Sequence, residues 1–295
     1  MNKGIYYASF TALLWGFLAI AIKVSLNGLP PITVSWSRFA IAFITLAVYY
    51  ALFDRKCFSI IQRAPKFGLL AGFFLGMNYL GFISGIHLTS PSIGQIFIQA
   101  GPVLFAVAGF VIFRERANIR QATGLLIVVV GLVIFYNEQI LNIAGGLKSY
   151  KLGVAMVLFG ALSWSLYAIF QKKAVQKDNP MQLNLIVFGL PSLFYIPLVD
   201  FTAFATLRIV DWFVVIFLGL NTLAAYGSLA YALKYLEANK ISVIITLNPL
   251  ITFALMAWLS KKELSWIEPE TFTLLTLGGA LLVLIGVILT VVRKR

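Results

Sequence analysis

Ten apolar runs, each near the 20 or so residues that a helix needs to cross a bilayer, follow one another with only short charged breaks. They fall at 4–25, 32–53, 67–87, 91–113, 119–137, 151–171, 181–200, 210–232, 240–260 and 271–292. Hydrophobic residues make up 61% of the chain and charged ones 11%, far from the balance of a soluble domain. Every run is longer than the roughly 10-residue alternating strands of an outer-membrane barrel, so the expected fold is an all-α integral membrane protein. Glycines and prolines inside the runs do not oppose this, because membrane helices tolerate them. The first run follows Lys3 as a signal peptide would. Its length, the lack of a small-residue cleavage site and the nine similar runs after it make it a retained span.

The net charge of +13 is scattered in small groups between runs and forms no single basic face, which argues against a nucleic-acid partner. Assigned to alternate sides, sixteen Lys and Arg residues fall on one side, among them Arg55, Lys56, Lys172, Lys173, Lys177, Lys234 and Arg293. Five fall on the other: Lys148, Lys151, Arg208, Lys261 and Lys262. The positive-inside rule then puts both termini in the cytoplasm of a multi-pass protein of the plasma membrane, the inner membrane if the source is bacterial. Cys57 is the single cysteine and His87 the single histidine. An intrachain disulfide, a multi-cysteine metal site and a histidine cluster are thereby excluded, and no metal or cofactor is expected.

The chain also repeats itself. A shift of 149 residues lays ALLWGFLAIAIK at 12–23 over ALSWSLYAIFQK at 161–172, pairing Trp15 with Trp164 and Lys23 with Lys172. FLGMN at 74–78 returns as FLGLN at 217–221, Pro102 aligns with Pro249, and GLLIVVVG at 124–131 with GALLVLIG at 279–286. Spans one to five thus recur as six to ten. Five is odd, so the second copy enters the membrane from the opposite side, and the expected plan is a 5+5 inverted repeat. Residues 1–137 form one half, 138–150 an extracytoplasmic linker and 151–295 the other half. Inverted repeats are a common transporter plan, with the site between the halves near mid-bilayer.

The ten spans, the Arg38–Phe39 pair and the two Pro-then-Glu patterns, Pro102 to Glu115 and Pro249 to Glu263, resemble the EamA-type branch of the drug/metabolite transporter superfamily over nearly the whole chain. The resemblance implies a small-metabolite carrier, often an exporter of amino acids or related compounds. Its central cavity is expected from spans one, three, four, six, eight and nine. The second half departs from the first: Val187 stands where Arg38 has its counterpart, and SWIEPET at 265–271 is extra.

Counting along the spans brings Trp15, Asn78, Gln99 and Pro102 to one depth with Trp164, Asn221, Thr246, Asn248 and Pro249. Asn78 and Asn221 either face a ligand or bridge helices. Gln95 and Gln99 share a helical face, as do Ser242 and Thr246, and that face is expected to line a solvated cavity. Pro102 and Pro249 either hinge a gate or make static kinks, leaving the carbonyls of Ile98 and Ile245 unpaired. Trp15 and Trp164 lie too deep for an interfacial belt and either stack on a ligand or fill core; Tyr79 and Tyr226 are of the same kind. Arg38, in the outer third of its span, is expected to snorkel to the surface, with anion recognition as the alternative. His87 reads as interfacial, the glycines of spans three and five as packing positions, and Glu115 and Glu263 as surface ion-pairing or capping groups.

No nucleophile–base pair or metal set can be assembled from these residues, so an enzyme is not expected. A channel would need a continuous polar lining, whereas the polar groups cluster at one level; a purely structural protein leaves the repeat unexplained. Without an acidic side chain deep in any span, facilitated diffusion or exchange is expected in place of obligate proton coupling. The partners expected are the bilayer and a small zwitterionic or uncharged metabolite, with the chain a monomer or homodimer.

Overall fold

The computed structural model describes residues 3–115, 119–135, 137, 148–260 and 273–291. Arg116, Glu138, Lys261, Lys262, Glu263, the SWIEPET segment, most of the expected linker and the basic C-terminus lie outside the described residues. Every regular element among those described is helical. In chain order these are α1 (Lys3–Ser25), α2 (Pro31–Phe53), α3 (Ser59–Arg63), α4 (Lys66–Leu88), α5 (Pro91–Phe97), α6 (Ala100–Val111) and α7 (Ile119–Phe135). They continue as α8 (Lys148–Ala174), α9 (Pro180–Tyr195), α10 (Ile209–Tyr235), α11 (Ala238–Ile245), α12 (Asn248–Ser260) and α13 (Leu274–Val291).

Eight segments are long and apolar enough to cross a membrane, counting Ile93–Val111 and Ala238–Leu259 each as one; two more, Ile119–Phe135 and Leu277–Thr290, are apolar but shorter. The protein is therefore a multi-pass membrane protein. Its outer surface is apolar: Leu52, Phe53, Leu193 and Phe213 are each at least two-thirds exposed, an arrangement that only lipid solvates well.

Local sequence explains where helices begin. α2, α5 and α9 each start on a proline, whose missing N–H is free at the first helical turn. Ser90 accepts from the Ile93 amide ahead of α5, and Asn179 from the Met181 and Gln182 amides ahead of α9. Several boundaries differ from the sequence reading by three residues or more. α8 begins at Lys148, inside the expected linker, and α9 ends at Tyr195, five residues short of the expected 200, where a 3-10 turn containing Pro197 takes over.

Helices α4 and α8 cross closely through small residues. A Cβ at Gly81 would lie 2.5 Å from the Met156 carbonyl oxygen and 2.7 Å from the Gly160 nitrogen, so only glycine lets the two backbones meet there. α7 and α13 cross in the same way, with Gly124 against Gly286 and Gly131 against Gly279. The glycines of spans three and five are thus packing positions, as the sequence reading has it.

The prolines refine that reading. Spans four and nine are interrupted for two residues before each proline: α5 stops at Phe97 and α6 starts at Ala100, α11 stops at Ile245 and α12 starts at Asn248, while Ile98, Gln99 and Thr246 in between keep right-handed helical dihedrals. Pro102 and Pro249 therefore sit in the first turn of the following segment, where no intrahelical N–H is lost. The Ile98 carbonyl, expected to go unpaired, accepts from the Gly101 amide at 2.9 Å.

Candidate functional site

The two breaks face each other at the centre of the molecule. Gln99, in the gap between α5 and α6, donates from Nε2 to Oδ1 of Asn248 at the head of α12 (2.9 Å) and to the Gln95 carbonyl (3.2 Å). Gln95 Nε2 reaches back to the Trp15 carbonyl on α1 (3.4 Å). A cavity of about 40 Å³ lies against this junction. Trp15, Asn78, Tyr79, Gln95, Gln99, Trp164, Tyr226 and Asn248 line it, with Pro102 also in the wall. A space of this size holds a few waters, whereas metabolite pockets run to several hundred Å³. As it stands, the space is smaller than a metabolite-sized guest requires.

The aromatic wall is interlocked. Trp15 meets Trp164 edge-on at 5.9 Å and Tyr226 at 5.2 Å, while Phe105 lies 6.0 Å from Trp164 and Tyr167 lies 5.5 Å from Tyr226. The tryptophans thus fill core and line the cavity at once. Three polar atoms of the wall are buried without a partner: Trp15 Nε1, a donor, and Gln95 Oε1 and Gln99 Oε1, both acceptors. Buried polar atoms are normally satisfied; these three have almost no accessible surface and no partner in the protein.

Each repeated asparagine bridges helices. Asn78 Nδ2 donates to the Gly160 carbonyl on α8 (2.9 Å), and Asn221 Nδ2 to the Leu14 carbonyl on α1 (3.0 Å). Asn78 also lines the cavity; Asn221 does not. Thr246 lies outside the wall and turns its hydroxyl back to the Val243 carbonyl, and Ser242 does likewise to Ala238. Pro249 is buried away from the cavity.

Arg38 is the clearest correction. It does not snorkel: it is 0% exposed. Because α2 packs against α4, α9 and α10, this face of the helix has no route to water, and the side chain turns toward the protein centre. Nε and Nη2 donate to Thr222 Oγ1 on α10 (3.1 and 3.0 Å), Nη2 also to the Tyr79 hydroxyl (2.9 Å), and the guanidinium carbon lies 4.5 Å from the centre of the Tyr79 ring. Thr222, Tyr167 and the buried Gln171–Asn184 pair (3.2 Å) went unnoticed in the sequence. So did the apolar lining residues Leu18 and Phe82, since nothing in an apolar run marks one residue as facing a cavity; Ile98 and Ile245, singled out only for their carbonyls, also line it.

On the side carrying the lysine excess, a wider cavity of about 550 Å³ is lined by Lys172, Lys173, Lys177 and Lys234. Glu115 closes its inner end. Residue Arg114 takes a left-handed backbone conformation, φ 51°, which folds Glu115 back so that its carboxylate accepts from the Ala238 and Asn239 amides (2.7 and 3.2 Å). Lys172 Nζ lies 3.6 Å from the same carboxylate and donates to the Leu236 carbonyl (2.7 Å). Glu115 thus has the capping and pairing role expected of it. His87 is exposed near the end of α4, as an interfacial residue should be. Among the described residues no three His, Cys, Asp or Glu side chains converge as metal ligands do.

A solved crystal structure superposes with a TM-score of 0.74 at 17% identity, covering 99% of this chain and 97% of the other; the fold is shared. A transporter of Haemophilus influenzae, described as uncharacterized, is 32% identical over 99% of this chain and 95% of its own length. The inner membrane transporter YhbE of Escherichia coli K12, also described as uncharacterized, is 32% identical over 99% and 92%. A probable amino-acid metabolite efflux pump of Salmonella typhimurium is 25% identical over 100% and 96%. The model of the EamA-like transporter family matches residues 2–137 and 151–292. A helical membrane protein with a cavity where two proline-interrupted spans meet, matched by that model over nearly its full length, belongs to the EamA-like transporter family.

Proposed function

We propose that the chain is an alternating-access carrier of ten membrane-crossing segments in two inverted halves, 1–137 and 151–295, that exports small metabolites such as amino acids or related compounds. The single observation that carries the reading is the cavity at the meeting of the two broken segments, the place where carriers of this plan bind substrate. Helix pairings support the inversion, because they are preserved when the halves are exchanged. α4 packs on α8 as α10 packs on α1, α6 on α8 as α12 on α1, and α4 on α9 as α10 on α2. The pairs α7–α13 and α2–α9 map onto themselves.

In this reading both termini and the lysine-lined cavity face the cytoplasm of a plasma membrane, and the 138–150 segment faces outward. The Salmonella relative's description supports amino-acid metabolites as cargo and efflux as direction. No acidic group is among the fully buried side chains described, and Glu115, the nearly buried one, is paired with Lys172; on this reading the carrier works by facilitated diffusion or exchange.

The test is flux in proteoliposomes, screening radiolabelled amino acids against nucleotide-sugars and organic cations. Trp15→Ala, Asn78→Ala, Gln99→Ala and Trp164→Ala should each lower flux far more than they lower insertion. Unchanged transport by all four variants overturns the site, and conductance far above carrier turnover in planar bilayers makes the protein a channel. Uphill accumulation driven by a pH gradient and abolished by protonophore would refute the uncoupled mechanism.

A further inference from the structure

The cavity at the lysine-rich end of the bundle, about 550 Å³, falls in the size range of small-molecule sites, and its walls carry more positive charge than they neutralise. Lys172, Lys173, Lys177 and Lys234 line it together with two carboxylates, Glu115 and Glu237. Both carboxylates are engaged. Glu115 accepts from the Ala238 and Asn239 amides and pairs with Lys172, and Glu237 pairs at 2.7 Å with Lys240, which is not in the wall. Lys173, Lys177 and Lys234 are left with no ion-pair partner among the described residues.

A bias of lysines toward one side of a membrane is ordinary, but it does not explain their convergence on one concavity. Lys173 and Lys177 come from the end of α8 and the turn after it, and Lys234 from the last turn of α10. The Lys173 ammonium lies 5.6 Å from the centre of the Phe67 ring at the start of α4. Duplication does not account for the cluster either. The alignment that pairs Lys172 with Lys23 sets Val24 opposite Lys173 and Gly28 opposite Lys177.

Like charges gathered round one space repel unless an anion lies between them, and lysine is a common point-charge partner of phosphate. Gln176 adds amide donors to the same wall. The cavity is formed where α4 begins and α8 and α10 end, the level at which apolar spans give way to charge and lipid headgroups lie. Phe67 and Tyr235, also in the wall, are exposed and give the site an apolar margin.

We propose that this cavity binds a phosphate group, presented by the headgroup of an anionic phospholipid or by the free ion, with Lys173, Lys177 and Lys234 as its counter-charges. Lys172 is already held by Glu115. The two cavities share no lining residue, so this site stands or falls independently of the central one. Each lysine near an anionic headgroup is worth about fivefold in affinity, the equivalent of about 1 kcal/mol, and three together about 100-fold by the same figures.

The experiment reads the melting temperature of the protein, purified in a neutral detergent, as each of four probes is titrated, and takes binding constants from the shifts. The probes are phosphatidylglycerol, phosphatidylcholine, sodium phosphate and, at matched ionic strength, sodium chloride. Phosphatidylglycerol should bind more tightly than phosphatidylcholine, whose phosphate is offset by its choline. The triple variant Lys173→Gln, Lys177→Gln, Lys234→Gln should lose about 100-fold in affinity. Lys177→Gln and Lys234→Gln alone should lose about fivefold each; both side chains are exposed, so these variants fold even if the triple one does not. A second triple variant, Arg55→Gln, Lys56→Gln, Arg120→Gln, removes the same charge from the same side but outside the cavity and should bind as the wild type does. Binding of phosphatidylglycerol with no effect of phosphate identifies the lipid headgroup as the source, and saturation by phosphate identifies the free ion; either result supports the site. Equal losses in the two triple variants assign the effect to diffuse surface charge and overturn the proposal. It is overturned as well if neither single variant weakens binding, or if phosphatidylglycerol acts no better than phosphatidylcholine and phosphate no better than chloride.

Discussion

Replacing Glu115 by alanine should be among the more damaging single changes outside the helix crossings. Its carboxylate accepts from two backbone amides that begin α11, Ala238 at 2.7 Å and Asn239 at 3.2 Å, and it lies 3.6 Å from Lys172 Nζ. The side chains of Glu115 and Lys172 are only 10% and 11% exposed, so water cannot fully substitute for either partner. A hydrogen bond to a charged group is worth about 1.5–3 kcal/mol, and removing one partner of a buried ion pair costs about 3–5 kcal/mol. These describe overlapping contacts and do not add, so about 3–5 kcal/mol is the expected loss for Glu115→Ala. Glu115→Gln keeps one carbonyl acceptor for the amides and loses the charge, which puts it at about half that figure by the same reasoning. Lys172→Met should recover part of the alanine variant's loss, because it removes the cation left behind, with a coupling of about 1–3 kcal/mol. Equilibrium unfolding in mixed detergent micelles measures the wild type, the three single variants and the Glu115→Ala/Lys172→Met double variant. An alanine variant within about 0.5 kcal/mol of wild type, the range typical of surface substitutions, refutes the claim that this contact holds the start of α11.

Gly81→Ala should lower stability by about 1–3 kcal/mol, since its Cβ meets backbone atoms of α8 and not the movable end of a side chain; an unchanged melting profile by size-exclusion chromatography of heated samples would contradict the crossing. At the opposite end of the bundle, Asp200 accepts from the Thr202 hydroxyl and from the Thr202 and Ala203 amides, and the Thr202 hydroxyl above all holds its carboxyl below the ordinary value of 3.8. A depressed folded-state value means that the contribution to stability is present above pH 3.8 and is lost as pH falls through the lower folded value. Hydrogen exchange at the Thr202 and Ala203 amides should therefore lose protection only below that pH, and Asp200→Asn should abolish the step; a step of equal size in the variant would assign it elsewhere.

Much of the site was legible because polarity inside lipid is conspicuous. Gln95, Gln99 and Asn248 stand out in runs of isoleucine and leucine, and the structure brings all three to one junction. The twin tryptophans were visible through the repeat, and they meet at 5.9 Å. Asn221 and Thr246 bear the same marks and nevertheless spend their hydrogen bonds on backbone carbonyls, because whether a polar group faces a cavity or a neighbouring helix depends on rotation about the helix axis. Composition does not encode that angle. Arg38 shows the converse: depth alone suggested escape to the surface, but the helices on that side of α2 leave no exit.

By itself, the sequence determined that the chain is helical and lives in a bilayer, since apolar runs of this length have no other stable solvent. It also determined where most helices begin, through prolines and side-chain caps whose effect spans only a few residues. Tertiary structure alone decided that Gln99 meets Asn248 across the two halves, that Glu115 caps a helix 123 residues away, and that Arg38 turns inward onto Tyr79. Each of these is a contact between elements distant in the chain, and such contacts exist only once packing has set which helix faces meet.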